Sequence, residues 1–272
     1  MDSRTNSMKN KTVLITGSTD GIGKQTALEL AELGAGVILH GREEAKVKPV
    51  LKEIGRKTGN DKLDFFIADL SSLDQIRAMA AEIRRQHRRL DVLINNAGVA
   101  LNSFEISADG YEMTFAVNHL AVFTLTLELL DLLTQSAPSR VINVASMVHS
   151  SSLDDDHLAK PRNFDGWEAY CQSKLCNILF TYELAEELQD RNVTVNCLHP
   201  GVIDTKLLRA NFSGGSPVTA GSQKLVYLAT APELETVTGK YFMDNRQTRS
   251  AEITYDPETR KILWDLSEKL CG

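Results

Sequence analysis

Tyr170 and Lys174 stand four residues apart in Glu168-Ala169-Tyr170-Cys171-Gln172-Ser173-Lys174-Leu175, within a stretch whose apolar spacing predicts a helix. On a helix, residues i and i+4 share one face, so the Lys174 ammonium can lie near the Tyr170 phenol and favour its ionised form. A phenol tuned in this way can exchange a proton with an alcohol or a carbonyl near neutral pH. Close to the start of the chain, Thr16-Gly17-Ser18-Thr19-Asp20-Gly21-Ile22-Gly23 is a glycine-rich turn between a strand and a helix. Its glycines let the backbone come close to a pyrophosphate, whose charge faces free N–H groups at the helix N-terminus. Each signal is weak alone, because such tyrosine-lysine pairs arise by chance and glycines occur at many tight turns. Together they point to redox chemistry on a dinucleotide.

Such residues need a scaffold to bring them together, and the hydrophobic pattern supplies one. Segments 12–16, 36–40, 64–67, 92–95, 141–144 and 194–198 read as strands, with a seventh at 239–243. Between them, 23–33, 43–58, 73–87, 111–134 and 168–190 read as helices, and 257–270 as a closing helix. Alternation of this kind predicts an α/β fold, a Rossmann-type doubly wound parallel sheet of about seven strands with helices on both faces. No stretch reads as a linker, so residues 11–272 form one expected domain behind a flexible polar tail, 1–10. Ligands bind such sheets outside the carboxyl ends of the strands, which directs attention to the loops after each strand.

Composition narrows the function classes. The chain has 272 residues with 42% hydrophobic content and a mean hydropathy of -0.20. No apolar run is long enough to span a bilayer, and Met1 to Lys11 lacks the apolar core of a signal peptide, so no membrane anchor is expected. A net charge of -6 gives no electrostatic footprint for nucleic acid. The basic cluster Arg84-Arg85-Gln86-His87-Arg88-Arg89 suits a helix C-terminus. Cys171, Cys176, Cys197 and Cys271 lack metal-ligand spacing and fit a reducing cytoplasm. The run Asp154-Asp155-Asp156 reads as a solvated turn, and no metal site is expected.

The glycine spacing is GxxxGxG, with Asn95-Asn96-Ala97-Gly98 after the fourth strand and Pro200-Gly201 after the sixth. With the tyrosine-lysine element, this set resembles the classical short-chain dehydrogenase/reductase family from about Lys11 to Met243. The resemblance implies a cofactor cradle of Gly17, Ser18, Thr19, Gly21, Ile22 and Gly23. It places Asp69 and Leu70 beside the adenine and Asn96, Ala97 and Gly98 along the cofactor. Pro200, Gly201, Ile203 and Thr205 would then face the nicotinamide. From the residues alone, Asp69 serves equally well as a helix N-cap.

The same resemblance implies a catalytic tetrad of Asn118, Ser146, Tyr170 and Lys174. Tyr170 would donate a proton to the carbonyl oxygen that the Ser146 hydroxyl holds. Lys174 would lower the tyrosine pKa and hold the nicotinamide ribose, while Asn118 would bind a relay water at a break in its helix. Residue by residue, Ser146 could simply end a strand and Asn118 could be a buried amide. Family members pair through the two long helices, which implies a homodimer or homotetramer.

Cofactor choice turns on the end of the second strand, where an NAD enzyme places a carboxylate against the ribose 2′-hydroxyl. Here Gly41 holds that position and Arg42 follows, and a guanidinium suits a 2′-phosphate, so NADP(H) is expected over NAD(H). Asp20 runs against this, at a position where NADP-preferring relatives often carry a base.

Around the tyrosine-lysine helix and Leu198-His199-Pro200-Gly201-Val202 the chain looks most like the retinol-dehydrogenase-like branch, which implies a small carbonyl or alcohol substrate of lipophilic character. Val202 replaces the cysteine found there in light-dependent protochlorophyllide reductases. Substrate loops are expected at 150–167 and 206–223, with Trp167, Leu207, Leu208 and Phe212 as apolar candidates. His149, His157 and His199 are expected to pack or line the pocket. Two other readings remain at this point: a cofactor-sensing protein without turnover, and a sugar-nucleotide epimerase, which the glycine spacing and chain length disfavour.

Overall fold

Leu14 faces one side of strand β1 (Thr12–Ile15) while Val13 and Ile15 face the other, and all three are fully buried. Burial on both faces is the mark of a central parallel strand sheathed by helices. The computed structural model describes residues 8–209 and 214–272. Around β1 lie β2 (Gly36–Gly41), β3 (Leu63–Ile67), β4 (Val92–Asn95), β5 (Ser139–Val144), β6 (Val193–His199), β7 (Lys240–Met243) and β8 (Arg246–Thr248). Their spatial order is β3-β2-β1-β4-β5-β6-β7-β8. All pairings are parallel except that of β8, which returns antiparallel on β7 through Asp244 and Asn245, both at positive φ. Strand order reverses between β1 and β4, and the crevice outside their carboxyl ends is the topological switch point.

Helices α1 (Gly21–Glu32), α2 (Glu44–Thr58) and α9 (Val218–Thr230) bury Leu30, Ile54 and Leu225 against one face. On the other face lie α3 (Leu73–Gln86), the broken helix after β4, α7 (Gly166–Glu187) and α10 (Pro257–Cys271). The broken helix comprises α4 (Met113–Phe115), a π-helical turn at Ala116–Leu120, α5 (Ala121–Glu128) and α6 (Leu130–Gln135). Between α7 and α9, α8 (Lys206–Arg209) is a single turn. No helix of the described residues is long and apolar enough to cross a membrane.

Several elements depart from expectation. The helix expected at 111–134 starts at Met113, because the buried Glu112 carboxylate accepts the Thr114 and Phe115 N–H groups at 2.7 Å each. Asp165 caps α7 by accepting from Glu168 N–H at 2.9 Å, so this helix starts at Gly166. Helix α9 begins inside the expected loop 206–223. A Cβ at Gly221 would stand 3.0 Å from Ile203 and 3.1 Å from Ile22, so this glycine permits close helix packing instead of marking a loop. Of the expected tail, Met8 is buried and donates its N–H to Leu33 O at 3.2 Å.

Helix α10 packs against α5 and α7. Trp264 stacks on Phe180 at 5.9 Å between ring centroids and meets Phe123 edge-on at 5.2 Å. Arg260 binds Glu183 at 3.1 Å and Glu186 at 2.8 Å. Every residue of α7 from Cys171 to Tyr182 is buried. Trp264→Ala should destabilise the fold by roughly 3–5 kcal/mol, the range for losing a packed aromatic. Urea denaturation measures this, and a loss below about 0.5 kcal/mol, as for an ordinary surface change, would remove Trp264 as the anchor of α10.

Candidate active site

Side chains pointing away from the crevice shape the glycine turn. Gly17, at φ 64°, donates its N–H to Nδ1 of His40 at 3.1 Å, and His40 Nε2–H reaches the Ala68 carbonyl at 3.2 Å. One buried imidazole thereby ties the turn to the end of β3, and burial pushes its pKa down to about 4, keeping it neutral. Ser18 is fully buried, accepting from His40 N–H at 2.9 Å and donating to the His40 carbonyl. The expectation that Ser18 faces a cofactor is corrected: its hydroxyl and N–H are spent joining the turn to β2. Thr16 Oγ1 accepts from the N–H groups of Asn96 and Ala97 at 3.0 Å each, while Asn96 Nδ2 donates to the Thr16 carbonyl at 2.9 Å.

These contacts leave backbone, not side chain, facing the crevice. A Cβ on Gly23 would fall 2.4 Å from the Gly17 carbonyl, and one on Gly17 would meet Ala97 at 3.0 Å. Asp20 caps α1 and pairs with Lys206 at 2.6 Å, so the residue that ran against a phosphate is compensated by a lysine. A cavity of about 1430 Å³ follows. Thr19, Gly21, Ile22, Arg42, Asp69, Leu70, Gly98, Pro200, Gly201, Ile203 and Thr205, all expected at the cofactor, line it. Asp69 accepts from Ser71 N–H at 2.9 Å, and Ser72 is the residue that caps α3, so Asp69 is not the N-cap.

At the other end of the cavity stand Ser146 and Tyr170, and the Lys174 Nζ lies 5.5 Å over the Tyr170 ring. Lys174 is buried and donates to the Val144 carbonyl at 3.0 Å. Burial pushes the lysine down to about 8 and the phenol up to about 12, the nearby Ser146 hydroxyl opposing the latter shift. Loss of water is the largest cause of both shifts, and for the phenol it acts against the lowering expected from Lys174. Gly98 leaves the space above Lys174 open, since a Cβ there would stand 3.5 Å from its Nζ.

Asn118 stands behind this group instead of lining the cavity. Its Oδ1 accepts from Val99 N–H at 2.8 Å, and its Nδ2 donates to the Val99 carbonyl at 2.9 Å and to Ser173 Oγ at 3.0 Å. Its side chain clamps the loop after β4, which leaves that amide no free hydrogen for a relay water. Of the expected loop 150–167 only Trp167 lines the cavity, stacked on Tyr170 at 6.1 Å. The rest is fastened outside it, with Gln172 Nε2 donating to the Ser152 carbonyl at 2.9 Å and Leu158 buried in the core. The wall that reasoning from sequence missed comes from Leu101 and Met113, between β4 and the π-helical turn, from Val117 in that turn, and from Met147, beside Ser146. Leu207 and Leu208 do line the cavity, whereas Phe212 lies outside the described residues. His199 also lines it, and His157 pairs with Asp154 at 2.9 Å. Cys171 is buried and its thiol is pushed up to about 11, the opposite of an activated nucleophile.

Comparison with known proteins agrees with this geometry. A family model described as short chain dehydrogenase matches residues 11–214. Human retinol dehydrogenase 13 is 43% identical over 96% of this chain and 85% of its own length. Human retinol dehydrogenase 14 is 38% identical over 97% of this chain and 87% of its own. Among solved structures, a protein from Mycobacterium paratuberculosis aligns at TM-score 0.82 and 30% identity, covering 98% of this chain and 95% of that one. A short chain dehydrogenase from Escherichia coli CFT073 complexed with NADPH aligns at TM-score 0.72 and 28% identity, over 88% and 98%.

The backbone cradle makes a direct test possible. Gly23→Ala should weaken dinucleotide binding by about tenfold or more, because its Cβ collides with backbone that cannot yield cheaply. Titration of the nicotinamide fluorescence measures it; unchanged affinity in a folded variant would show that the cofactor does not approach this turn.

Proposed function

The chain belongs to the short-chain dehydrogenase family, oxidoreductases acting on CH–OH or C=O groups, and from that premise we propose that it is an NADP(H)-dependent reductase of lipophilic aldehydes or ketones. The observation that carries this reading is the convergence of Ser146, Tyr170 and Lys174 at one end of a cleft that runs past the glycine turn to Arg42. A nicotinamide dinucleotide bound there supplies the hydride. The residues fit it, since the Gly17 and Gly23 approach admits no Cβ and the α1 N-terminus presents its N–H groups to a pyrophosphate.

Ser146 holds the substrate oxygen through its hydroxyl, and Tyr170, protonated at neutral pH, gives its proton to that oxygen. Lys174, cationic below about pH 8, stabilises the phenolate left behind. Arg42 is exposed at the cavity edge, pairs with no carboxylate among the described residues, and is free to take a 2′-phosphate. An acid at position 41 is sterically shut out, since a Cβ there would fall 2.7 Å from both Thr19 and Val47. Leu101, Met113, Met147, Trp167, Leu207 and Leu208 give the substrate end its apolar walls, and the retinol dehydrogenases among the relatives support a lipophilic substrate. Four free, buried cysteines are in keeping with the cytoplasm as the proposed location.

Tyr170→Phe should lower turnover of an aldehyde panel at least about a hundredfold with dinucleotide binding retained. In the wild type, kcat/KM for reduction should fall as pH rises through about 8, where Lys174 loses its charge. Full activity in the phenylalanine variant, or a flat profile from neutral to alkaline pH, contradicts the mechanism. Arg42→Ala should raise KM for NADPH by roughly tenfold to a hundredfold, the worth of a charged hydrogen bond, and leave KM for NADH nearly unchanged. Equal effects on both cofactors remove Arg42 as the selector.

A further inference from the structure

We propose that His149 is a positioning residue that fixes the carbonyl and hydroxyl of Ser146 for the reaction. The inference rests on the role given to Ser146 above. The backbone ladder between β5 and β6 ends where Ala145 N–H donates to the Leu198 carbonyl at 2.9 Å, so Ser146 is the first residue beyond the sheet. His149 takes over from there. Its Nε2 lies 2.9 Å from Ala251 N–H, and since a backbone amide can only donate, that nitrogen accepts. The ring proton of the neutral form therefore sits on Nδ1, which donates to the Ser146 carbonyl at 2.7 Å. The edge of the ring meets Tyr241 at 5.6 Å and 67°, which fixes its plane.

A second contact completes the hold. Val148 N–H donates to Ser146 Oγ at 3.3 Å and occupies one lone pair of the hydroxyl. The hydroxyl proton is thereby turned away from the turn and toward the cavity that Tyr170 also lines. His149 closes the turn that makes the Val148 contact possible and anchors it to Ala251, just beyond the edge strand β8. The imidazole never touches the cofactor or the substrate in this scheme, and it acts through Ser146 alone.

A double-mutant cycle on the full chain separates this role from a merely structural one. Turnover, KM for NADPH and the urea midpoint are measured for wild type, His149→Ala, Ser146→Ala and the double variant, using single-turnover rates where activity is low. His149→Ala is expected to lower kcat by about tenfold to a hundredfold, as for a small misplacement of a catalytic group, with KM for NADPH unchanged. The double variant should be no slower than Ser146→Ala. His149→Asn, whose amide can take the place of Nδ1–H, should recover part of the rate, and His149→Gln, whose amide reaches the Ala251 side, should not. Losses that multiply in the double variant, or a His149→Ala enzyme that loses stability but no turnover, overturn the positioning role. Full turnover in Ser146→Ala overturns it together with the proposed mechanism, an outcome distinct from an inactive Ser146→Ala beside a fully active His149→Ala.

Discussion

Keeping the Lys174 ammonium out of water is the constraint on which the rest of the architecture depends. Its pKa of about 8 in place of 10.5 corresponds to roughly 3 kcal/mol against charging it where it sits, a large share of a domain's net stability. The charge can be tolerated only if the helix that carries it cannot open to solvent and the Val144 carbonyl stays within reach. Both conditions are met by enclosure. Helix α7 rests on β5 and β6, is flanked by the π-helical turn, and is covered by α10 through Trp264, Leu263 and Arg260. A closing helix far from the chemistry in sequence thus supports it energetically. It also lends α7 an apolar partner from within the chain.

The cofactor side follows a different logic. There the functional surface is backbone, and the side chains that shape it face inward. His40 joins the glycine turn to the end of β3, Ser18 joins it to β2, and Thr16 with Asn96 joins it to the loop after β4. Three strand ends are thereby locked at the topological switch point before any ligand arrives. Such preorganisation limits the ordering that binding must impose. Arg42, by contrast, stays exposed at the rim.

This division explains how much was legible beforehand. The alternation of strands and helices was plain because buried parallel strands and amphipathic helices carry strong, different periods. Tyr170, Ser146 and Lys174 were legible as a set because their spacing matches a family pattern. Ser18 was misread, since the same pattern cannot tell a residue that faces the crevice from one that turns behind it. Helix α9 was lost because the Gly214-Gly215 signal carried the expected loop on to Gln223, though Gly221 serves packing and Ser222 donates to Glu29 at 2.7 Å. Helical spacing reports which charges are near Tyr170, and nothing in it reports how much water has left. Roles such as those of His40 and Glu112 depend on partners brought together only by folding, and no local spacing announces them.

The two tryptophans of the chain occupy places of different meaning. Trp167 stacks on Tyr170 at the cavity mouth and is 45% exposed, whereas Trp264 is half-buried between α10 and the helices it covers. Their light emission therefore carries two separate signals. A reduced nicotinamide lying beside Tyr170 would accept excitation energy most readily from Trp167, while a red shift on loosening of α10 would come from Trp264. The protein is equipped with one optical reporter for occupancy and one for integrity, and replacing either tryptophan by phenylalanine isolates the other.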